Sequence, residues 1–191
     1  TTRFLKIMSD ETIRMSRLVN DLLSLNRVEN EESMPPTDSV DSISIINDTI
    51  ENTEPVYSKT NNSLSFLHPN QPIVVKGSKD QLQQVVTNLL DNAVKYGGPN
   101  KEVKIELSAP AHFAILGRTG VTLEVIDQGK GIASEHIPRL TERFYRVDSH
   151  RSREVGGTGL GLSIVKHIIN RHGGRLRIKS VEGEGSTFSV V

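Results

Sequence analysis

The chain has 191 residues, 35% of them apolar and 24% charged, enough to bury a core for one domain with a smaller appendage. Lysine and arginine together number 23 and the acids number 23, so no basic surplus points to nucleic acid, and the absence of cysteine excludes disulfide and thiolate chemistry. No apolar run approaches the length that crosses a bilayer and no signal-peptide pattern opens the chain, while a start at Thr1 leads us to expect a piece of something longer.

The first thirty residues carry a helical seam. Met8, Met15 and Leu22 fall seven apart, Leu18 and Leu25 repeat at that interval, and Leu5 and Val19 widen the stripe, with Arg14, Arg17, Asp21 and Arg27 off it. A lone helix with so broad an apolar face is not stable, so an antiparallel hairpin or a dimeric four-helix bundle is expected, with a helix packed on its own domain as the alternative. The acids, two prolines and small polar residues of "ENEESMPPTDS" then remove helical continuity. This divides the chain into a helical segment 1–31, a linker 32–40 and a domain 41–191.

Beyond the break the pattern predicts a helix over 43–58, strands over 64–67 and 73–75, and a long helix from Lys79. Ser78 with Gln81 three positions on resembles a capping box, and Gly97 and Gly98 suit the far end. Strands follow over 103–107 and 121–126, then a short helix over 134–140, a glycine-rich loop, a helix over 158–171, and closing strands over 176–180 and 186–190. The alternation of helices and strands reads as an α/β layer structure. The segment "SAPAHFAILGRTG" is a long connection between two strands, and no role is assigned to it.

On the long helix Leu82, Val85, Val86, Leu89, Leu90 and Ala93 form one apolar face, and Asn88, Asn92 and Lys95 fall on its flank. Paired amides at a cleft rim can bind a hard cation through their carbonyl oxygens while leaving most of its water in place, as magnesium prefers; simple solvated polar residues would give the same letters. In "VTLEVIDQGKGI" a β-branched strand runs into Asp127, and Gly129 and Gly131 permit a tight turn and close approach to a flat ligand. A strand-end carboxylate can accept a hydrogen bond from an exocyclic amine and so select adenine, although a hairpin with a solvated aspartate fits the motif as well. "VGGTGLGLSIVKHIINRHGG" places Gly156, Gly157, Gly159 and Gly161 before or at the start of an amphipathic helix, where bare N–H groups and the helix dipole attract an anion. Neither a Walker loop nor a dinucleotide-fold loop matches its spacing.

Together these stretches resemble, in order and spacing, the catalytic ATP-binding domain of sensor histidine kinases, within the wider group shared with DNA gyrase and MutL, which implies the α+β Bergerat fold, a two-layer sandwich of a mixed sheet with helices on one face, preceded by a helix of a dimerisation bundle. "NLLDNAVKY" resembles the family's N box, "DQGKGI" its first glycine box, "ERFYRVD" its F box and "GGTGLGLSIVKHI" its second glycine box. "RMSRLVNDLLSLNRVE" is similar to the second helix of the family's dimerisation bundle, so the resemblance covers nearly the whole chain. "HIPRLTERFYRVD" and "RSREVGGTGLGL" look most like phosphate-regulon sensor kinases of bacteria.

The resemblance implies ATP and Mg2+ as cofactors. It implies that Asn92 ligates magnesium with Asn88 beside it, that Lys95 and Tyr96 line the phosphate side, and that Asp127 accepts from the adenine amino group. Gly129, Gly131 and Ile132 would shape that wall, with Thr187 reaching the same carboxylate. Gly157, Thr158, Gly159, Leu160, Gly161 and Leu162 would hold the triphosphate, Arg146 would neutralise the γ-phosphate with Arg151 and Arg153 on the same lid, and Phe144 and Tyr145 would pack the lid base. Asn88, Lys95 and Arg146 are then the catalytic candidates.

One departure limits the reading. None of His68, His112, His136, His150, His167 and His172 precedes an acidic neighbour, so the family's phosphoacceptor histidine is expected outside this chain. His136 in "EHIPRLT" is followed by Ile137 and reads as structural. The implied partners are a response regulator and a second copy through the bundle, with no nucleic acid, and the implied location is cytoplasmic, with any membrane attachment through segments beyond this chain. Two other readings stay open: a related ATPase that drives a clamp, whose water-activating glutamate would stand where Asn88 is, and a non-catalytic module that docks a regulator.

Overall fold

The computed structural model describes residues 2–31, 33–147 and 157–191. Helix α1 spans Thr2–Glu31, followed by β1 (Ser39–Asp41), α2 (Ser42–Thr60), β2 (Ser63–Leu67), β3 (Val74–Lys76), α3 (Lys79–Gly97), β4 (Glu102–Leu107), β5 (Ala111–Phe113), β6 (Arg118–Gly120) and β7 (Leu123–Asp127). A 3-10 turn at Ile137–Arg139, α4 (Gly161–Arg171), β8 (Leu176–Val181) and β9 (Gly185–Val190) complete it. None of the described helices is long and apolar enough to cross a membrane.

The central sheet has the order β2-β4-β7-β9-β8, parallel between β2 and β4 and antiparallel elsewhere. Alternation decides its two faces: Val103, Ile105 and Leu107 of β4 and Leu123, Val125 and Asp127 of β7 are all buried. These inward residues meet α3, whose Val85, Val86, Leu89, Leu90 and Ala93 are buried at helical spacing, and α3 packs in turn on α2 and α4. The result is the mixed-sheet α+β architecture that the resemblance implies.

Local chemistry explains most element ends. Asp41 caps α2 by accepting from the Ile43 N–H at 3.1 Å, and Asn61 closes it in a left-handed conformation, φ 52°. The expected capping box at α3 is absent. The Ser78 side chain makes no cap bond; its backbone N–H donates instead to His172 Nε2 at 3.1 Å, and Gln81 Oε1 accepts from Arg171 Nη1 at 2.8 Å. His172 thus takes the Ser78 N–H that Gln81 would accept in a capping box, while Gln81 itself is held by Arg171. The expected short helix over 134–140 is only the 3-10 turn around Pro138, which lacks the N–H a longer helix would use. Two short pairings were invisible in the pattern: β1 with β3, inside and beyond the linker, and the β5–β6 hairpin within the long connection.

Helix α1 has two unlike halves. Phe4, Leu5, Ile7, Met8, Ile13, Met15, Val19 and Leu23 are exposed, whereas Leu25 and Val28, 1% and 2% exposed, lie in the same core as α4. Polar contacts flank this seam: Ser24 Oγ donates to Gln84 Oε1 at 2.8 Å, and Glu29 pairs with Arg143 and with His167. Arg171 Nε donates to the Glu31 and Met34 carbonyls, 3.0 Å each, and so ties the start of the linker to α4.

If the distal half of α1 belongs to the common core, Leu25→Ala lowers the unfolding free energy by about 3 kcal/mol, whereas Leu23→Ala changes it by less than about 0.5 kcal/mol. Urea unfolding of the two variants measures both; equal effects would show that the two helix halves are energetically alike.

Candidate functional site

The flank of α3, the end of β7, the residues around Tyr145 and the start of α4 enclose one cleft of about 660 Å³. Turning the apolar face of α3 to the sheet leaves Asn88, Asp91, Asn92, Lys95 and Tyr96 on the cleft side, all of which line it. Asn88 abuts the start of α4, where a Cβ on Gly161 would stand 3.6 Å from its Oδ1. Lys95 Nζ donates to Asp91 Oδ2 at 2.9 Å, so the lysine enters the cleft as half of an ion pair.

Asp127 ends the inward row of β7 and is 5% exposed. Gly129 N–H donates to its Oδ1 at 2.8 Å, and Ser186, paired directly opposite, brings its backbone and hydroxyl near enough to favour the charged carboxylate. Burial pushes the carboxyl above its ordinary value, and these hydrogen bonds only partly oppose that rise. The turn beyond it is pressed against the β8–β9 hairpin: the Ile132 N–H donates to Ser180 Oγ at 2.8 Å and Gly183 N–H to the Lys130 carbonyl at 2.8 Å. Gly131 sits there at φ +67°, and a Cβ would fall 1.9 Å from the Val181 carbonyl oxygen, so only glycine fits.

The glycine loop forms the opposite wall. Gly157, Thr158, Gly159, Gly161 and Leu162 line the cleft with Ile132, Tyr145 and Arg146. Gly159, φ +76°, lies so close to Phe144 that a Cβ would reach 2.9 Å from its Cα, and the Phe144 N–H donates to the Gly159 carbonyl at 2.9 Å. Thr158 Oγ1 donates to Asp21 Oδ2 of α1 at 2.7 Å. Arg17, Asn20 and Asp21 therefore also line the cleft, 137 positions away in sequence for the Asp21 contact.

Four expected site residues stand elsewhere. Thr187 pairs with Ile126 and Lys179, on the opposite parity of β9 from Ser186 and Phe188, so it faces away from the cleft and Ser186 takes the place expected for it beside Asp127. Leu160 has 0% exposure and is a core side chain between two cleft-lining glycines. Gly129 lies behind the wall, as a donor to Asp127. Phe144 is exposed and holds φ +63° rather than packing in a core. Arg151, Arg153 and Gly156 lie outside the described residues.

The polar groups left over indicate what fits. Asn88 Nδ2 and Arg146 Nε and Nη2 are buried with no hydrogen-bond partner among the described residues. Buried donors of this kind call for an acceptor, and a phosphate supplies several oxygens at once. No cluster of three His, Cys, Asp or Glu side chains able to hold a metal occurs among the described residues, so a cation here would be held by the amide oxygens of Asn88 and Asn92, a set suited to a largely hydrated hard ion.

Residues 77–191 match the family described as histidine kinase-, DNA gyrase B-, and HSP90-like ATPase. The phosphate regulon sensor protein PhoR of Pseudomonas aeruginosa is 40% identical over 187 residues, which cover 98% of this chain and 40% of PhoR. The sensor protein kinase WalK of Staphylococcus epidermidis is 36% identical over 189 residues, 98% of this chain and 30% of WalK. This chain therefore spans less than half the length of either relative. Among solved structures, full-length ShkA in complex with AMPPNP superposes with a TM-score of 0.76 at 25% identity, over 98% of this chain and 37% of ShkA.

A carboxyl whose folded-state pKa lies above its ordinary 3.8 contributes its stability below that value and loses it as pH rises through the raised pKa. Nucleotide-free protein is therefore expected to lose stability relative to Asp127→Asn as pH rises from about 4 toward 7. Urea unfolding of both proteins across that range is the measurement; a difference that stays level would place the carboxyl in an ordinary solvated setting.

Proposed function

This chain belongs to the family of histidine kinase-, DNA gyrase B- and HSP90-like ATPases, and from that premise we propose that it is the nucleotide-binding kinase unit of a two-component sensor. In this reading it binds ATP with Mg2+ and passes the γ-phosphate to a histidine on a bundle helix outside this chain, from which an aspartate of a response regulator receives it. The observation that carries the reading is the presence, in one cleft, of a buried strand-end carboxylate and of buried donors on Asn88 and Arg146 that have no partner among the described residues.

Each end of that cleft suits one end of the nucleotide. Asp127 accepts a hydrogen bond from the adenine amino group, with Ser186 and Gly129 fixing the carboxylate, and Ile132, Leu140 and Phe188 supply apolar walls for the ring. The amides around Gly157, Thr158, Gly159 and Gly161, at the start of α4, face the triphosphate. Arg146 and Asn88 donate to its oxygens, and Lys95 with Tyr96 bounds the same side. Asn88 and Asn92 hold Mg2+, which supplies charge neutralisation on the phosphates. Catalysis by these residues is positioning and charge stabilisation, since phosphoryl transfer asks little covalent work of the protein.

Asn88 also favours transfer over hydrolysis, because an amide cannot take a proton from water as a carboxylate does. The exposed apolar stripe on the proximal half of α1 supports a bundle partner: the missing helix and a second copy of the chain. A cytoplasmic place for this unit follows from the same reading.

Calorimetry with a non-hydrolysable ATP analogue is expected to show binding that Asp127→Asn weakens by about tenfold or more, the cost of losing a hydrogen bond to a charged acceptor. Asn92→Ala is expected to remove the dependence on magnesium. Transfer of labelled phosphate to a supplied bundle that carries the acceptor histidine then separates kinase from hydrolase, and tight binding with release of free phosphate only would refute the kinase assignment.

A further inference from the structure

The residue whose sequence position suggests no role in the cleft, His136, is joined to its wall. Its Nδ1 lies 2.7 Å from the Tyr145 hydroxyl, and its Nε2 lies 3.6 Å from Glu135. A ring with Nε2–H toward that carboxylate leaves Nδ1 as acceptor, so the tyrosine hydroxyl donates. The Arg139 guanidinium covers the Tyr145 ring, 4.2 Å from its centroid, and is itself paired with Glu142. The Tyr145 N–H closes the turn on the Glu142 carbonyl at 3.3 Å.

This clamp sits where the backbone needs one. Phe144 precedes Tyr145 with φ +63°, a conformation that a bulky residue keeps only when its surroundings hold it. On one side it is held by the bond from its N–H to the Gly159 carbonyl. On the other side the next residue is held by His136. The residue after that is Arg146, which lines the same cleft and whose buried Nε and Nη2 have no partner among the described residues.

We infer that His136 is a positioning residue for the nucleotide: by accepting from the Tyr145 hydroxyl it fixes Tyr145 and Arg146 against the cleft, on the side opposite the glycine loop's hold on Phe144. The inference rests on the nucleotide reading above. It makes the turn around Pro138 part of the binding apparatus, through a histidine that stands behind the residues lining the cleft.

The test uses the 191-residue chain and a non-hydrolysable ATP analogue with magnesium. His136→Leu is expected to raise the dissociation constant about fivefold, the equivalent of one hydrogen bond, and Tyr145→Phe to do the same. His136→Asn, whose Oδ1 can stand where Nδ1 stands, is expected to bind within about twofold of the unaltered chain. The double variant His136→Leu with Tyr145→Phe should be no weaker than either single one, because both remove the same bond. Unchanged affinity in His136→Leu and Tyr145→Phe, or losses that multiply in the double variant, would overturn the inference. Should His136→Leu fail to fold, Tyr145→Phe and His136→Asn carry the comparison, since both keep the ring or polar group in place. An unaltered chain that ignores the analogue would instead overturn the nucleotide reading itself, and the positioning role with it.

Discussion

The fold is organised around keeping a charge-bearing carboxyl group at the buried end of β7. A carboxylate out of water loses much of its solvation, so Asp127 persists only where donors surround it. Gly129 and Ser186 supply the donors, and each is there for a backbone reason. The turn of two glycines lets residue 129 fold back on its own strand, and antiparallel pairing sets Ser186 directly opposite Asp127. The same pairing sets Phe188 opposite Val125, so one side of β9 serves core and cleft in succession. Shifting the register by one residue would place Thr187 beside the carboxylate and turn Phe188 outward, which the core does not permit.

Helix α3 solves the complementary problem. Its apolar face is consumed by the sheet and by its packing with α2 and α4, which leaves one flank for chemistry. Asn88 and Asn92, one turn apart, then point into the same space from a rigid element. A site built on a helix flank and a strand end leaves little for the loops to do except complete it. The loops here are accordingly tied back: Gly159 to Phe144, Lys130 to Gly183, and Tyr145 to His136.

What could be read from the sequence follows that division. Asn88, Asn92 and Asp127 were visible because periodicity places them: helical spacing gives the flank, and a period of two gives the strand's inward row. Ser186 was legible by the same rule, since counting the alternation back from Phe188 and Val190 picks residue 186 and rejects Thr187. The boundaries that failed were those set by distant partners. The α3 cap comes from His172, 94 positions on from Ser78, and Gln81 is claimed by Arg171, so the local capping pattern gave the right start for the wrong reason. Arg17, Asn20 and Asp21 sit off the seam of α1 and look like solvated polar residues until α1 is laid against the glycine loop.

The forces holding α1 in that position are unequal, and the inequality matters. Its ion pairs, Glu29 with Arg143 and His167 and Glu31 with Arg171, are partly exposed, and pairs of that kind contribute about 0–1 kcal/mol each. Burying Leu25 and Val28 is worth about 1.5–3 kcal/mol for each side chain. The anchor is therefore apolar and lies near the linker, while the contacts nearer the cleft, through Asp21 and Ser24, are single hydrogen bonds. Thr158 stands at the junction of the two regimes, lining the cleft while its hydroxyl reaches α1. A change at the glycine loop thus meets α1 at single hydrogen bonds, one turn before the residues that hold it most firmly.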